Sequence, residues 1–371
     1  MADSRLLARG GATVLVLALA ATACGGSENN NDTSVPTATA GTASTAIYQA
    51  SEKKGGDLRV LATSDCDSWD PARAYYANCI DMHRLLFHNL MTYDSKPGPA
   101  AVVPDLATSQ PEVNDNNKTW KYTLKDNIKF EDGTPVTSKD IKYGVQRAFA
   151  NDVLSGGPTY VVQELAGGDK YKGPYRNKQG LASIQTPDDK TIIFKLKRSF
   201  SDWNYVMAFP QSAPVPQAKD TGRKYTFKPV ATGPYKFASY TPNKTLKLVR
   251  NTYWDPATDT ERKALPDTVT ITMGLEPNDI DNRIISNQGD VFQDQTGVQQ
   301  TAQARILTNP TLRKRSSNPV TGFVSGGSCI VLTKPTCTSM PTKGVSCRRT
   351  NSTERTVLAK GRLGRSSIFL P

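Results

Sequence analysis

The chain has 371 residues, enough for two domains, and 37% of them are hydrophobic, which is ordinary for a soluble globular protein. Its formal charge is +12, yet the last 47 residues alone hold eight Lys/Arg against one Glu, so most of the excess sits near the C-terminus. The body from 24 to 324 carries +4 with its acids interspersed, and no RNA-binding aromatic signature, zinc finger or recognition-helix motif occurs, which argues against nucleic-acid binding.

Arg5 and Arg9 precede an apolar run from Ala12 to Ala21 that is too short to cross a bilayer as a helix. No second apolar stretch is long enough to do so. The run ends in Ala21-Thr22-Ala23-Cys24-Gly25-Gly26. Small residues at this distance before a cysteine resemble a bacterial lipobox, although Ala21 stands where leucine is commoner. The resemblance implies a signal peptide over 1–23, cleavage before Cys24 and lipid on the Cys24 sulfur. An ordinary cleaved signal peptide with an incidental cysteine is the other reading. Each buried CH₂ of an acyl chain contributes about 0.8 kcal/mol, so two or more chains hold a protein on a membrane. Residues 27–55 are mostly Asn, Ser, Thr, Ala and Gly with almost no large apolar side chain. Such a stretch cannot bury enough surface to fold, so 24–55 is expected to be a flexible tether with a root-mean-square reach of roughly 30 Å.

The first strand is expected at Leu58 to Leu61, followed by Ser64-Asp-Cys-Asp-Ser-Trp69-Asp-Pro-Ala-Arg-Ala-Tyr75-Tyr76. Cys66 and Cys79 lie thirteen residues apart in a segment that export would place in an oxidising exterior, so a disulfide is expected. Its closure is worth about 3 kcal/mol in the chain-entropy model. Two free buried thiols are the alternative. His83 and His88 are the two histidines, and five residues on a helix point them to different faces. With no HExxH, no metal site is expected.

Trp120, Tyr122 and Leu124 alternate with Lys121, Thr123 and Lys125, the pattern of a strand with one wet face. Ile128 and Phe130 resume the alternation, and Asp132-Gly133 turns the chain. Thr137 or Ser138 can cap a helix whose apolar stripe is Ile141, Val145, Ala148 and Phe149. Asp188 and Asp189 after Pro187 read as a solvated turn. Tyr235 and Phe237, then Leu246 and Leu248, then Val269, Ile271 and Met273 mark three more alternating strands. Pro277 can open a helix ending near Gln288-Gly289, and Val291-Phe292 restarts a strand.

Three ordered blocks make a specific resemblance. Lys118 to Phe149, then Ala231-Thr-Gly-Pro-Tyr-Lys-Phe237 with Lys244 to Trp254, then Leu265 to Phe292 resemble the extracytoplasmic solute-binding proteins of ABC importers, in the peptide/oligopeptide/nickel-binding family 5. The resemblance covers roughly 56 to 324. It implies an α/β fold of the type II periplasmic-binding-protein kind, incomplete because the second lobe is missing. Residues 56–90 with 225–324 would build a partial first lobe, and 91–224 a subdomain inserted in it. In this family the loop after the first strand faces the ligand cleft, so Trp69, Tyr75 and Tyr76 are ligand-binding candidates. Packing beneath the loop is the competing role for these rings.

After Val324 the text departs from the family. Ser and Thr supply 14 of the last 47 residues, Asp none, and no apolar period persists. The stretch 325–371 is expected to be a non-homologous, disordered basic tail, the product of a frameshift that truncates the chain. A natural basic extension is the alternative. The functional expectation is a lipid-anchored, monomeric solute-binding component at the outer face of the cell membrane. It would hand peptides or similar solutes to ABC permease subunits, need no cofactor, and bind with impaired affinity. A secreted basic surface-interaction protein is the alternative, and a secreted hydrolase has less behind it. The Ser-x-x-Lys spacing at Ser51 to Lys54 lacks partner motifs, and no Gly-x-Ser-x-Gly elbow or P-loop occurs.

Overall fold

The computed structural model describes residues 52–95, 101–293 and 297–312, and the backbone of 313–314, 316–317, 331–332, 335–338 and 346–349. All of these belong to one compact unit, 38–371. The expected signal peptide, Cys24 and the expected tether as far as residue 51 lie outside the described residues.

One sheet has five strands: β1 (Asp57–Leu61), β8 (Tyr235–Thr241), β9 (Thr245–Arg250), β10 (Thr268–Thr272) and β11 (Val291–Phe292). Their order is β11-β1-β10-β9-β8, parallel across the first three and antiparallel from β10 to β8. Period-two patterning decides which side each residue takes. Val269 and Ile271 are buried on one face while Thr268, Thr270 and Thr272 stay partly exposed. Helix α1 (Ala77–Leu86) covers that face with Met82, Leu85 and Leu86. The opposite face of β1 presents Leu61 to α5 (Pro277–Ile285) and α6 (Gln300–Thr308) through Ile280, Ile284, Ala302 and Ile306. A parallel sheet with helices on both faces follows from burial on both sides.

A second, antiparallel sheet has the order β4-β5-β7-β6, from β4 (Glu112–Asn114), β5 (Thr119–Thr123), β6 (Ile184–Gln185) and β7 (Thr191–Lys195). Trp120 stands opposite Phe194 and Tyr122 opposite Ile192, and all four are buried. Such cross-strand aromatic and β-branched pairs contribute roughly 0.2–1 kcal/mol each. They belong to a core with α2 (Ser138–Arg147), separate from the core of the five-stranded sheet. A short ladder of β2 (Met91–Tyr93) and β3 (Val102–Pro104) adjoins it.

Several expected boundaries moved. Ile128 and Phe130 form no strand. A single bridge joins Lys129 to Pro135, and the chain turns over Gly133 at φ 88°. Both side chains are buried there, so alternation reported burial rather than a ladder. The helix opening at Pro277 stops at Ile285, because Asn287 takes a positive φ of 63° and ends it before Gly289. Inside the stretch expected to be disordered, 331–332 pairs with 316–317, and 335–338 pairs with 346–349. Short runs rich in β-branched residues, such as Thr336 and Thr338, suit such pairing. The remaining residues of 325–371 lie outside the described residues.

Candidate functional site: the loop after the first strand

The segment 65–76 leaves β1 without regular structure, and its own acids fix it. Asp65 accepts from the Cys66 amide (2.7 Å) and the Trp69 indole (3.1 Å) with one oxygen. The other oxygen accepts from the Tyr240 hydroxyl and the Asn243 amide, both at 2.8 Å. Asp67 accepts from the amides of Tyr75 (2.8 Å) and Tyr76 (3.2 Å). Asp70 accepts from the Ala72 amide at 3.0 Å. Asp and Asn bond readily to nearby backbone, which lets a short irregular segment satisfy its own amides. The Cys66–Cys79 disulfide, with Cα atoms 5.1 Å apart, ties the segment to α1.

Asp70 is also where the segment meets the second core. It receives Nη1 (2.6 Å) and Nη2 (2.7 Å) of Arg147, from the last turn of α2. Arg147 donates its Nε and Nη2 to Asp220 at 3.0 and 3.1 Å, and its guanidinium lies 4.7 Å from the Tyr225 ring centre. Tyr143 (2.8 Å) and Tyr175 (2.6 Å) donate their hydroxyls to Asp220. Arg147, Asp70 and Asp220 are all 2% exposed or less at the side chain. Burial alone lowers the Arg147 pKa, but Asp70 and Asp220 outweigh it and hold it well above the ordinary value. Burial likewise raises the Asp220 carboxyl, and Arg147 reverses the sign and holds it below the usual range. A forked guanidinium matched to two carboxylates that also accept from neighbouring hydroxyls and amides is the arrangement in which a buried charge is tolerated.

The three candidate rings separate. Trp69 does not line the surface: it is 1% exposed and stacks on His83 at 6.0 Å and 2°, with Phe237 and Tyr240 edge-on. An apolar ring with a partnered indole N–H belongs under the loop, where it supports the backbone. Tyr75 and Tyr76 are turned out, 43% and 63% exposed. The Tyr75 hydroxyl is 3.0 Å from that of Tyr160, whose ring lies 5.6 Å from Phe209. Tyr160 opens α3 (Tyr160–Glu164), so this aromatic row crosses from the loop to the other core. Gly157 permits the approach, since a Cβ there would stand 2.8 Å from the Arg73 Cα.

His83 sits beneath the segment, fully buried, with Nε2 donating to the Ser68 carbonyl at 2.9 Å. Burial pushes its pKa down to about 4, so it is neutral at pH 7. His88 lies past the end of α1 in a second buried cluster. His88, Asp105 and Asp259 bring ligand atoms within 4.8 Å of one another, a spacing that can suit a metal. The positive charge there is already supplied by Arg262, at 2.8 Å from both oxygens of Asp105 and 3.1 Å from Asp259. Arg262 also donates to the carbonyls of Arg84 and Phe87. The donor set is thus occupied by a guanidinium, and the cluster clamps the end of α1 to the 259–262 turn.

Neither arginine cluster was legible in the sequence. The Asp70–Arg147 contact spans 77 positions and the Asp105–Arg262 contact 157. No local spacing marks either arginine as buried.

Comparison with known proteins places this geometry. The model of the bacterial extracellular solute-binding proteins, family 5 (middle region), matches residues 101–325. The periplasmic murein peptide-binding protein MppA of Escherichia coli is 32% identical over 197 residues, 51% of this chain and 35% of MppA. The periplasmic oligopeptide-binding protein OppA of the same organism is 29% identical over 201 residues, 52% of this chain and 36% of OppA. Among solved structures, clavulanic acid biosynthesis oligopeptide binding protein 2 superposes with a TM-score of 0.70 at 44% identity, covering 72% of this chain and 49% of that one. The E. coli MppA structure gives 0.59 at 22% identity with 72% and 50% covered, which supports the shared fold. The chain therefore spans about a third of the curated relatives it matches and about half of the solved structures.

Proposed function

Since the chain belongs to the bacterial extracellular solute-binding proteins of family 5, a family of binding proteins rather than enzymes, we propose that it captures peptides outside the cytoplasm for an ABC importer. The observation that carries the reading is the loop after β1. Each of its three aspartates accepts from at least one of its backbone amides, and it holds Tyr75 and Tyr76 outward. Rigid exposed aromatics suit a ligand of variable sequence, because ring faces contact any peptide backbone. The names of the relatives, which are peptide-binding and oligopeptide-binding proteins, support peptides as the solute class.

In this proposal residues 56–90 with 225–324 are one lobe and 91–224 a subdomain set into it, joined by the Arg147 cluster. Lipid on Cys24 holds the monomer at the outer face of the membrane, within reach of the permease subunits. The described residues offer one wall of a cleft, so peptide affinity is impaired relative to a two-walled clamp. Titration calorimetry of the chain with defined tripeptides tests the site. Peptide binding that Tyr75→Ala with Tyr76→Ala weakens by about tenfold or more is expected, in line with the loss of two aromatic contacts. Binding unchanged by both substitutions would remove this loop from the site.

A further inference from the structure

A groove of about 820 Å³ opens in the subdomain that contains α2 and α3. Its floor is apolar: Phe149 and Tyr171 meet edge-to-face at 5.3 Å and 70°, flanked by Val162 and Pro158. Gly156 keeps the rim open, with nothing within 4 Å of where its Cβ would stand. Two cations four residues apart, Lys172 and Arg176, complete one side.

Both acids of this lining already have a cation partner. Asp152 is paired with Arg176 at 2.7 Å, and Asp169 with Lys197 at 3.5 Å. Lys172 has no ion-pair partner among the described residues. Arg176 gives only Nε to Asp152, so its two terminal amino groups hold no hydrogen bond among the described residues. The groove thus combines an apolar bed with an ammonium and half of a guanidinium fork whose donors are unspent. Forked donors match a carboxylate, and a volume of this size suits a small organic molecule.

We propose that this groove is a binding site for a small apolar carboxylate, an aromatic or branched aliphatic acid. Its body rests on Phe149, Val162 and Tyr171, and its carboxylate accepts hydrogen bonds from Arg176 and Lys172. The site requires neither Tyr75 nor Tyr76.

The test is titration calorimetry of the full chain with 3-phenylpropionate, alongside 3-phenylpropan-1-ol and acetate. The acid is expected to bind more tightly than either control, since the alcohol lacks the charge and acetate lacks the ring. Arg176→Gln and Lys172→Gln change exposed side chains and are expected to weaken the acid by about tenfold each, the worth of a hydrogen bond to a charged group. Both are expected to leave the alcohol unchanged. Acid and alcohol binding alike, acetate binding as tightly as the acid, R176Q binding the acid as well as the parent chain, or no heat at all each overturn the proposal.

Discussion

Replacing Arg147 by methionine keeps most of the side-chain volume and removes the cation that Asp70 and Asp220 share. Both carboxylates are 2% exposed or less and lose four charge-assisted hydrogen bonds between them. Removing one partner of a buried ion pair costs about 3–5 kcal/mol, because the remaining charge stays out of water. Against a total stability of about 5–15 kcal/mol, this is a large fraction. Urea unfolding followed by tryptophan fluorescence reads it directly, since Trp69 and Trp203 are buried in the two cores. The sign with pH is the sharper readout. In the parent chain Asp220 is held below its ordinary pKa, so its contribution is present above about pH 4 and is lost as pH falls further. In R147M burial holds the Asp220 carboxyl above the unfolded value, so stability is present below about pH 4 and is lost as pH rises through the raised pKa. Adding Asp70→Asn and Asp220→Asn to R147M removes the stranded charge and is expected to recover part of the loss. A loss in R147M below about 1 kcal/mol, or an unchanged pH slope, would refute the argument that this guanidinium is the joint between the cores.

Two further outcomes follow from the base of the loop. Neutral His83, with its pKa lowered to about 4 by burial although Asp67 and Asp70 pull the other way, resists protonation that the unfolded chain accepts below about 6.5. Stability is therefore full above pH 6.5 and falls by up to about 3 kcal/mol as pH drops toward 4, and His83→Phe is expected to flatten that slope in urea titrations at pH 7 and 5. Matching slopes for the two proteins would rule the histidine out as the cause. Reduction of the Cys66–Cys79 disulfide reopens a loop of separation 13 and is expected to lower stability by about 3 kcal/mol, seen as a drop in melting temperature with dithiothreitol that Cys66→Ser with Cys79→Ser reproduces and no longer shows.

What the sequence disclosed was set by how far apart the cooperating residues lie. The capped start of α2 was readable because its parts are three positions apart: Asp140 accepts from the Thr137 amide at 2.8 Å and from its hydroxyl at 2.7 Å. The strands at 119–123, 245–250 and 268–272 were readable because each has one buried face and a period of two, whereas 235–241 buries only Tyr235 and shifts register between Phe237 and Ser239. Asp188 and Asp189 were half readable. Asp188 does bond the amides of Lys190 and Thr191, as a turn aspartate should. The carbonyls of the same pair also accept from the hydroxyl and amide of Ser138, an anchor for α2 that no local pattern announces.

The loop after β1 shows both limits at once. Its aspartates sit at 65, 67 and 70, and an acid-rich segment beside Pro71 reads as irregular backbone that bonds to itself. Nothing in that text says which aromatic goes in and which goes out. The answer depends on Asp65, which takes the Trp69 indole with one oxygen and Tyr240, 175 positions away, through the other. That bond, the His83 stack and Thr226, whose hydroxyl accepts from the Trp69 amide at 3.0 Å, draw Trp69 down. Asp67 meanwhile fixes the amides of Tyr75 and Tyr76 with their rings outside. Partners contributed by α1, β8 and the 222–227 turn therefore sort three equally plausible rings into one buried support and two exposed rings.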